Sequence, residues 1–190
     1  MIRESLTALL ACVVTFGLCA IAYPALVYGV GHSLFPNQAE GSLIERDGKV
    51  IGSSLIAQPF TSARYFAPRP SAAGPNGYAA DAASGSNLGT TNPALRDRIK
   101  GQTLRLLADA TQAQTEARLP VDLVTTSGSG LDPEISPAAA YFQAGRVAKA
   151  RQMTEDQVRG KIEARIDRSG ALFGAPARVN VLLLNLDLDR

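Results

Sequence analysis

The sequence predicts an α+β soluble domain, a mixed sheet with helices, tethered by one N-terminal transmembrane helix. Two observations carry that expectation. Ser5 to Val30 is a run of 26 residues without a charge. Beyond it, apolar periods of two and of 3.6 succeed one another as hairpin, helix, strand, two helices and strand, an order that suits α+β rather than repeated strand–helix–strand units.

The charge-free run comes first. At ~1.5 Å rise per residue it forms roughly 39 Å of helix, more than the ~30 Å hydrocarbon core requires. Tyr23 and Tyr28 suit an interfacial belt, and Pro24 is expected to kink the helix or mark its frayed end. Ala20-Ile21-Ala22 has the form of a signal-peptide cleavage site, the alternative to an anchor. Against cleavage, the apolar stretch continues through Ala25, Leu26, Val27 and Val30, where a signal peptide has already turned polar. Leu18 stands before Cys19 where a lipoprotein site needs a small residue, which disfavours lipid attachment. The division expected is an anchor over 1–34 and a soluble domain over 35–190. Arg3 and the terminal amine precede the helix, and the first basic residues after it are Arg46 and Lys49. The positive-inside rule therefore puts the N-terminus in the cytoplasm and the domain outside.

Within the domain, Gly41 to Gln58 holds two short apolar runs around Asp47-Gly48, a hairpin turn dipeptide. Phe66 to Thr91 is rich in Gly, Pro, Ser, Ala and Asn without a period, so it reads as a long irregular loop of the kind that is usually functional or disordered. Tyr65, Phe66, Arg69 and Tyr78 punctuate it, and such side chains pack or bind. Asn92-Pro93 opens a helix whose face is Leu95, Ile99, Leu106 and Ala110, extending to about Ala117. Val121 to Thr125 reads as a short strand and Thr126 to Pro133 as a Gly-rich turn. Ser136-Pro137 caps a helix reaching about Arg151, and Thr154 to Gln157 is a capping box ahead of Val158, Ile162 and Ile166. Val179 to Leu188 alternates Leu184, Leu186 and Leu188 with Asn185 and Asp187, and reads as the best strand in the chain.

Composition narrows the function classes. With 19 basic and 17 acidic residues interspersed along the chain, no clustered basic surface awaits a nucleic acid. An apolar fraction of 46% argues against disorder as the main state. Cys12 and Cys19 are the only cysteines, so the domain has no thiolate zinc site, disulfide framework or cysteine nucleophile. His32 is the only histidine and adjoins the membrane segment, which removes a Ser-His-Asp triad from the domain. Neither a Walker-type phosphate loop nor a dinucleotide fingerprint is present. Two Gly-Ser loops, Ala83 to Asn87 and Ser127 to Asp132, have the composition of backbone anion nests or of plain turns. Ser127 and Asp132 lack a base to complete a nucleophile, and Asp122, Asp132 and Glu134 match no cation-ligand spacing.

Several blocks, taken together, resemble one family. They are Gly41-Ser42-Leu43-Ile44, Gly52 to Phe60, Tyr65 to Ala72, Ser84-Gly85-Ser86-Asn87-Leu88, Asn92-Pro93, Val124 to Pro133, and Val179 to Leu182 with Leu184-Asn185-Leu186. In this order and spacing they resemble the C subunit of the Kdp potassium-transporting P-type ATPase, from the N-terminal helix to the last block. The resemblance implies a small single-span, non-catalytic accessory subunit of a high-affinity ATP-driven potassium uptake complex in the bacterial inner membrane. It implies a need for this chain in assembly and stability, with an ATP-hydrolysing and a channel-like potassium-binding subunit as partners, alongside membrane lipid. ATP and K+ then belong to the complex, and the chain has no cofactor of its own. The family's proposed role is that of a catalytic chaperone raising the ATP affinity of the hydrolysing subunit, which makes Ser84, Gly85, Ser86 and Asn87 the nucleotide-binding candidates. Asp81 and Ala82 stand where some members carry a glutamine, a departure that weakens direct nucleotide contact. Arg69, Tyr65 and Phe66 are the partner-interface candidates. A domain outside the membrane cannot meet cytoplasmic ATP, so coupling through conformation is the expected mechanism. The rival reading is an autonomous membrane-anchored extracytoplasmic ligand-binding or sensor domain that uses the Phe66 to Thr91 loop.

Overall fold

In the computed structural model, which describes residues 2–108 and 118–190, the apolar run is one continuous helical stretch, Ile2–Leu34. It starts as helix α1 (Ile2–Phe16), widens into a π-helical turn (Gly17–Ala22) and resumes as helix α2 (Tyr23–Leu34), with no buried residue in any of the three. Its 33 residues have the length and composition to cross a bilayer. Pro24 neither ends nor frays it. A proline ring collides with the carbonyl four residues back, here that of Ala20, and the wide turn just before it relieves the collision. The Tyr23 N–H accordingly donates to the Leu18 carbonyl, five residues back.

The chain divides into two compact units, residues 1–53 and 54–190. In the first, helix α3 (Pro36–Ala39) leads to strands β1 (Leu43–Arg46) and β2 (Lys49–Ser53), paired antiparallel with a register shift between Ile44 and Glu45. The turn is the expected Asp47-Gly48, both with positive φ (52° and 74°), as a two-residue hairpin of matching twist requires. The Ser53 hydroxyl donates to the Gly41 carbonyl at 2.7 Å and closes the hairpin base.

The second unit is built on helices α4 (Pro93–Ala108), α5 (Pro137–Arg151), α6 (Glu155–Ala164) and α7 (Val181–Leu188). A small sheet, β3 (Glu134–Ile135), β4 (Ile166–Asp167) and β5 (Arg178–Asn180), runs in the order β3-β5-β4. Its pairing is antiparallel throughout, with Val179 opposite both Ile135 and Ile166, where a mixed sheet was expected. The α+β class holds. Capping follows the sequence: Asn92 Oδ1 accepts the Ala94 N–H, Ser136 Oγ accepts the Ala139 N–H, and Thr154 and Gln157 form a reciprocal capping box. The expected extension of α4 to Ala117, with Ala110 on its face, lies outside the described residues.

Two expected strands are helical instead. Val121–Leu123 is a 3-10 turn entered from Pro120. Val179 to Leu188 is strand only to Asn180, whose side chain caps α7 by accepting the Leu183 N–H at 3.1 Å. Val181, Leu182, Leu184, Asn185 and Leu188 of α7 are buried, so the helix has too little polar face to display a 3.6-residue period. Alanines at 139, 140, 144 and 148 bury the inner side of α5, and Phe66, Ile162, Leu184 and Val179 fill the centre. Burying a side chain such as Phe66 contributes about 2–3 kcal/mol.

Candidate functional site

The long loop carries most of the candidate residues, and its two ends are fixed differently. Two buried amides grip its start. Asn185 of α7 accepts the Phe66 N–H at 2.8 Å and donates to the Phe66 carbonyl at 3.0 Å. Gln143 of α5 does the same to Ala67, accepting its N–H at 2.8 Å and donating to its carbonyl at 3.1 Å. Each primary amide thus takes the place of a neighbouring strand, and backbone groups that burial would orphan are paired. Arg146 locks the arrangement by donating to Gln143 Oε1, the Tyr65 carbonyl and the Ala63 carbonyl.

Around this clamp the interface candidates separate. Phe66 is fully buried, so its ring is a core anchor and offers no surface to a partner, contrary to expectation. Tyr65 is half-buried: its hydroxyl donates to Asp189 at 2.9 Å and the Arg151 guanidinium lies 4.9 Å over its ring. Arg151 also donates to the Arg64 and Leu188 carbonyls and pairs with Asp189, tying the end of α7 to the loop. Arg69 pairs with Asp132 at 3.0 Å and reaches the Thr126 carbonyl, so it joins the long loop to the Gly-rich turn.

The middle of the loop hangs on Ser71. Its hydroxyl accepts the N–H groups of Ala73 and Tyr78, and its carbonyl accepts from Arg98 of α4. Tyr78 takes a left-handed conformation (φ 58°) and donates its hydroxyl to the Arg69 carbonyl at 2.9 Å. Burial pushes that phenol above its usual pKa.

At the far end the two Gly-Ser loops meet. A Cβ on Gly85 would stand 2.8 Å from the Gly128 carbonyl oxygen, and one on Gly130 (φ 72°) would stand 2.4 Å from that of Ser84. Only glycine permits this approach. Ser84 and Asn87 face solvent while Gly85 and Ser86 are half-buried, and the Ser84 hydroxyl donates to the Gly85 carbonyl. Sequence separates these loops by some forty residues and gives no sign that they interlock.

The acidic candidates do not converge. Asp122 accepts the Ser136 N–H and hydroxyl, Asp132 holds Arg69 and the Glu134 N–H, and Glu134 pairs with Arg178. Burial raises the Glu134 carboxyl above its ordinary value despite the Arg178 charge. Among the described residues no group of three His, Cys, Asp or Glu side chains is placed to hold a metal ion. A cleft of about 400 Å³ opens beside the Gln143 clamp, lined by Phe60, Phe142, Leu106, Arg105 and Arg146 among others. None of Ser84 to Asn87 lines it. The arrangement is suited to presenting a braced loop surface, since the Ser71 and Ser84 hydroxyls and the Asp122, Asp132 and Glu134 carboxylates are engaged in bonds within the protein.

A family model described as KdpC, the K+-transporting ATPase c chain, matches residues 5–190. The potassium-transporting ATPase KdpC subunit of Janthinobacterium is 51% identical over 173 residues, covering 91% of this chain and 90% of that protein. Its counterpart in Paraburkholderia xenovorans is 52% identical, covering 93% of this chain and 91% of that protein. That of Methylococcus capsulatus is 52% identical over 193 residues, with coverage of 100% and 98%.

Proposed function

The chain belongs to the KdpC family of K+-transporting ATPase c chains, and from that premise we propose that it is a membrane-anchored, non-catalytic accessory subunit of an ATP-driven potassium uptake complex. Its partners are an ATP-hydrolysing and a channel-like potassium-binding subunit, which handle ATP and K+ themselves. The observation that carries this reading is the Ile2–Leu34 stretch, charge-free from Ser5 to Val30 and without a buried residue. Such a surface calls for lipid and for other helices, and Ala8, Ala11, Gly17, Ala20 and Ala22 supply the small side chains that close helix approach uses.

The charge order around that stretch supports a single pass with the N-terminus in the cytoplasm and the domain outside. From there the domain acts through conformation. By binding one state of the transport cycle better than another it stabilises the assembly and raises the ATP affinity of the hydrolysing subunit. Ser84 to Asn87 then serve as one half of the interlocked loop pair rather than as a nucleotide contact.

A tag after Arg190, purification in mild detergent from potassium-limited cells and identification of what accompanies the chain test the proposal. Stoichiometric ATP-hydrolysing and channel-like subunits are the expected result. A lone monomer surviving gentle extraction favours the autonomous binding or sensor domain instead. Tight ATP binding by the purified chain alone refutes the conformational mechanism.

A further inference from the structure

The connection between β4 and β5 is built to hold two apolar side chains in water. Leu172 is 95% and Phe173 94% exposed, whereas the next most exposed large apolar side chain among the described residues of the second unit, Val121, stands at 67%. Floppiness does not account for this. The tip is a 3-10 turn (Ala171–Phe173) closed by four backbone bonds: Ala171 N–H to the Arg168 carbonyl, Phe173 and Ala175 N–H to the Gly170 carbonyl, and Gly174 N–H to the Ala171 carbonyl. Gly170 approaches Ala175 so closely that an added Cβ would stand 2.7 Å from the alanine Cβ, and Gly174 takes the left-handed conformation (φ 76°) that ends the turn. A pre-organised turn that exposes an adjacent leucine and phenylalanine is a hot-spot anchor awaiting a pocket.

Resting on the assignment to a multi-subunit ATPase, we propose that Leu172 and Phe173 insert into an apolar pocket on another polypeptide subunit of that complex. Charge selects a protein over a lipid surface. Arg168 is paired with Glu163 at 2.8 Å, and Arg178 with Asp167 at 2.8 Å and Glu134 at 3.0 Å, so at the base of the tip two arginines face three carboxylates, a net negative collar in which neither arginine is spare for anionic headgroups. Size sets the kind of contact. Two side chains fall far short of the roughly 800 Å² per partner that a free-standing complex buries. They suffice for a subunit that other contacts already hold in the same assembly, where the effective concentration is high.

The test uses the full chain co-expressed with the ATPase. With benzoylphenylalanine in place of Phe173, illumination is expected to cross-link the chain to one polypeptide subunit of the purified complex, and the L172D/F173D double variant is expected to co-purify at least about tenfold less under a detergent wash. Both side chains lie outside the core, so an unchanged thermal unfolding curve for the double variant separates lost docking from lost folding. The aromatic photoprobe keeps the test valid even if the double aspartate fails to fold. Adducts with lipid only, or no adducts, in a complex that still contains the chain overturn the anchor and leave the accessory-subunit reading standing. If the unmodified chain does not accompany the ATPase subunits at all, that reading falls and the anchor with it.

Discussion

At Phe66 and Ala67 the long loop is held by polar satisfaction, and at Ser84 and Gly85 by steric fit. The first end relies on two buried amides, Asn185 and Gln143, that pair four backbone groups inside the core. The second relies on bare backbone pressed against an exposed Gly128 and a buried Gly130. One is costly to break because water cannot replace the lost partner; the other is costly to break only by adding atoms. The difference teaches that the loop has a permanent root and a more adjustable rim.

Three substitutions sharpen or break that contrast, all measured by equilibrium unfolding of the full chain in detergent. Asn185→Ala strands the Phe66 N–H and carbonyl in the core and is expected to destabilise by about 3 kcal/mol. Gly130→Ala forces a Cβ into the Ser84 carbonyl at a positive φ, for an expected loss of about 2 kcal/mol and faster proteolysis within residues 84–87. Should the second cost as much as the first, root and rim are equally rigid and the distinction collapses. Arg69→Ala is expected to cost about 1 kcal/mol or less, because both partners of the Arg69–Asp132 pair are 27% exposed and solvent screens them. A drop comparable to that of Asn185→Ala instead makes this bridge part of the root.

What could be read beforehand tracks how local each determinant is. Asp47-Gly48, the Ser136 cap and the Thr154–Gln157 box are short-range codes, and the structure uses all three. Val179 to Leu188 misled because a helix buried nearly all round needs apolar residues at almost every position, and the remaining Asn185 and Asp187 mimic a strand's alternation. Asn185 was in fact the clue. A lone amide in a leucine run signals a buried backbone partner, although nothing in sequence says that the partner is Phe66, 119 positions away. Arg69 was legible as a residue that packs or binds, yet its partner Asp132 was not. The meeting of the two Gly-Ser loops is a tertiary event that neither composition can announce.

The π-helical turn at Gly17–Ala22 has a bearing on how the span can be recognised. One turn that takes in an extra residue delays the angular phase of everything after it, so side chains on either side of Cys19 do not continue one another's stripe. Ala8 and Ala11 belong to one azimuth and Ala25 and Gly29 to another. On the proposed membrane-spanning reading, a neighbouring helix following a straight groove reads only half of the stretch, which leaves its two halves free to address two different neighbours.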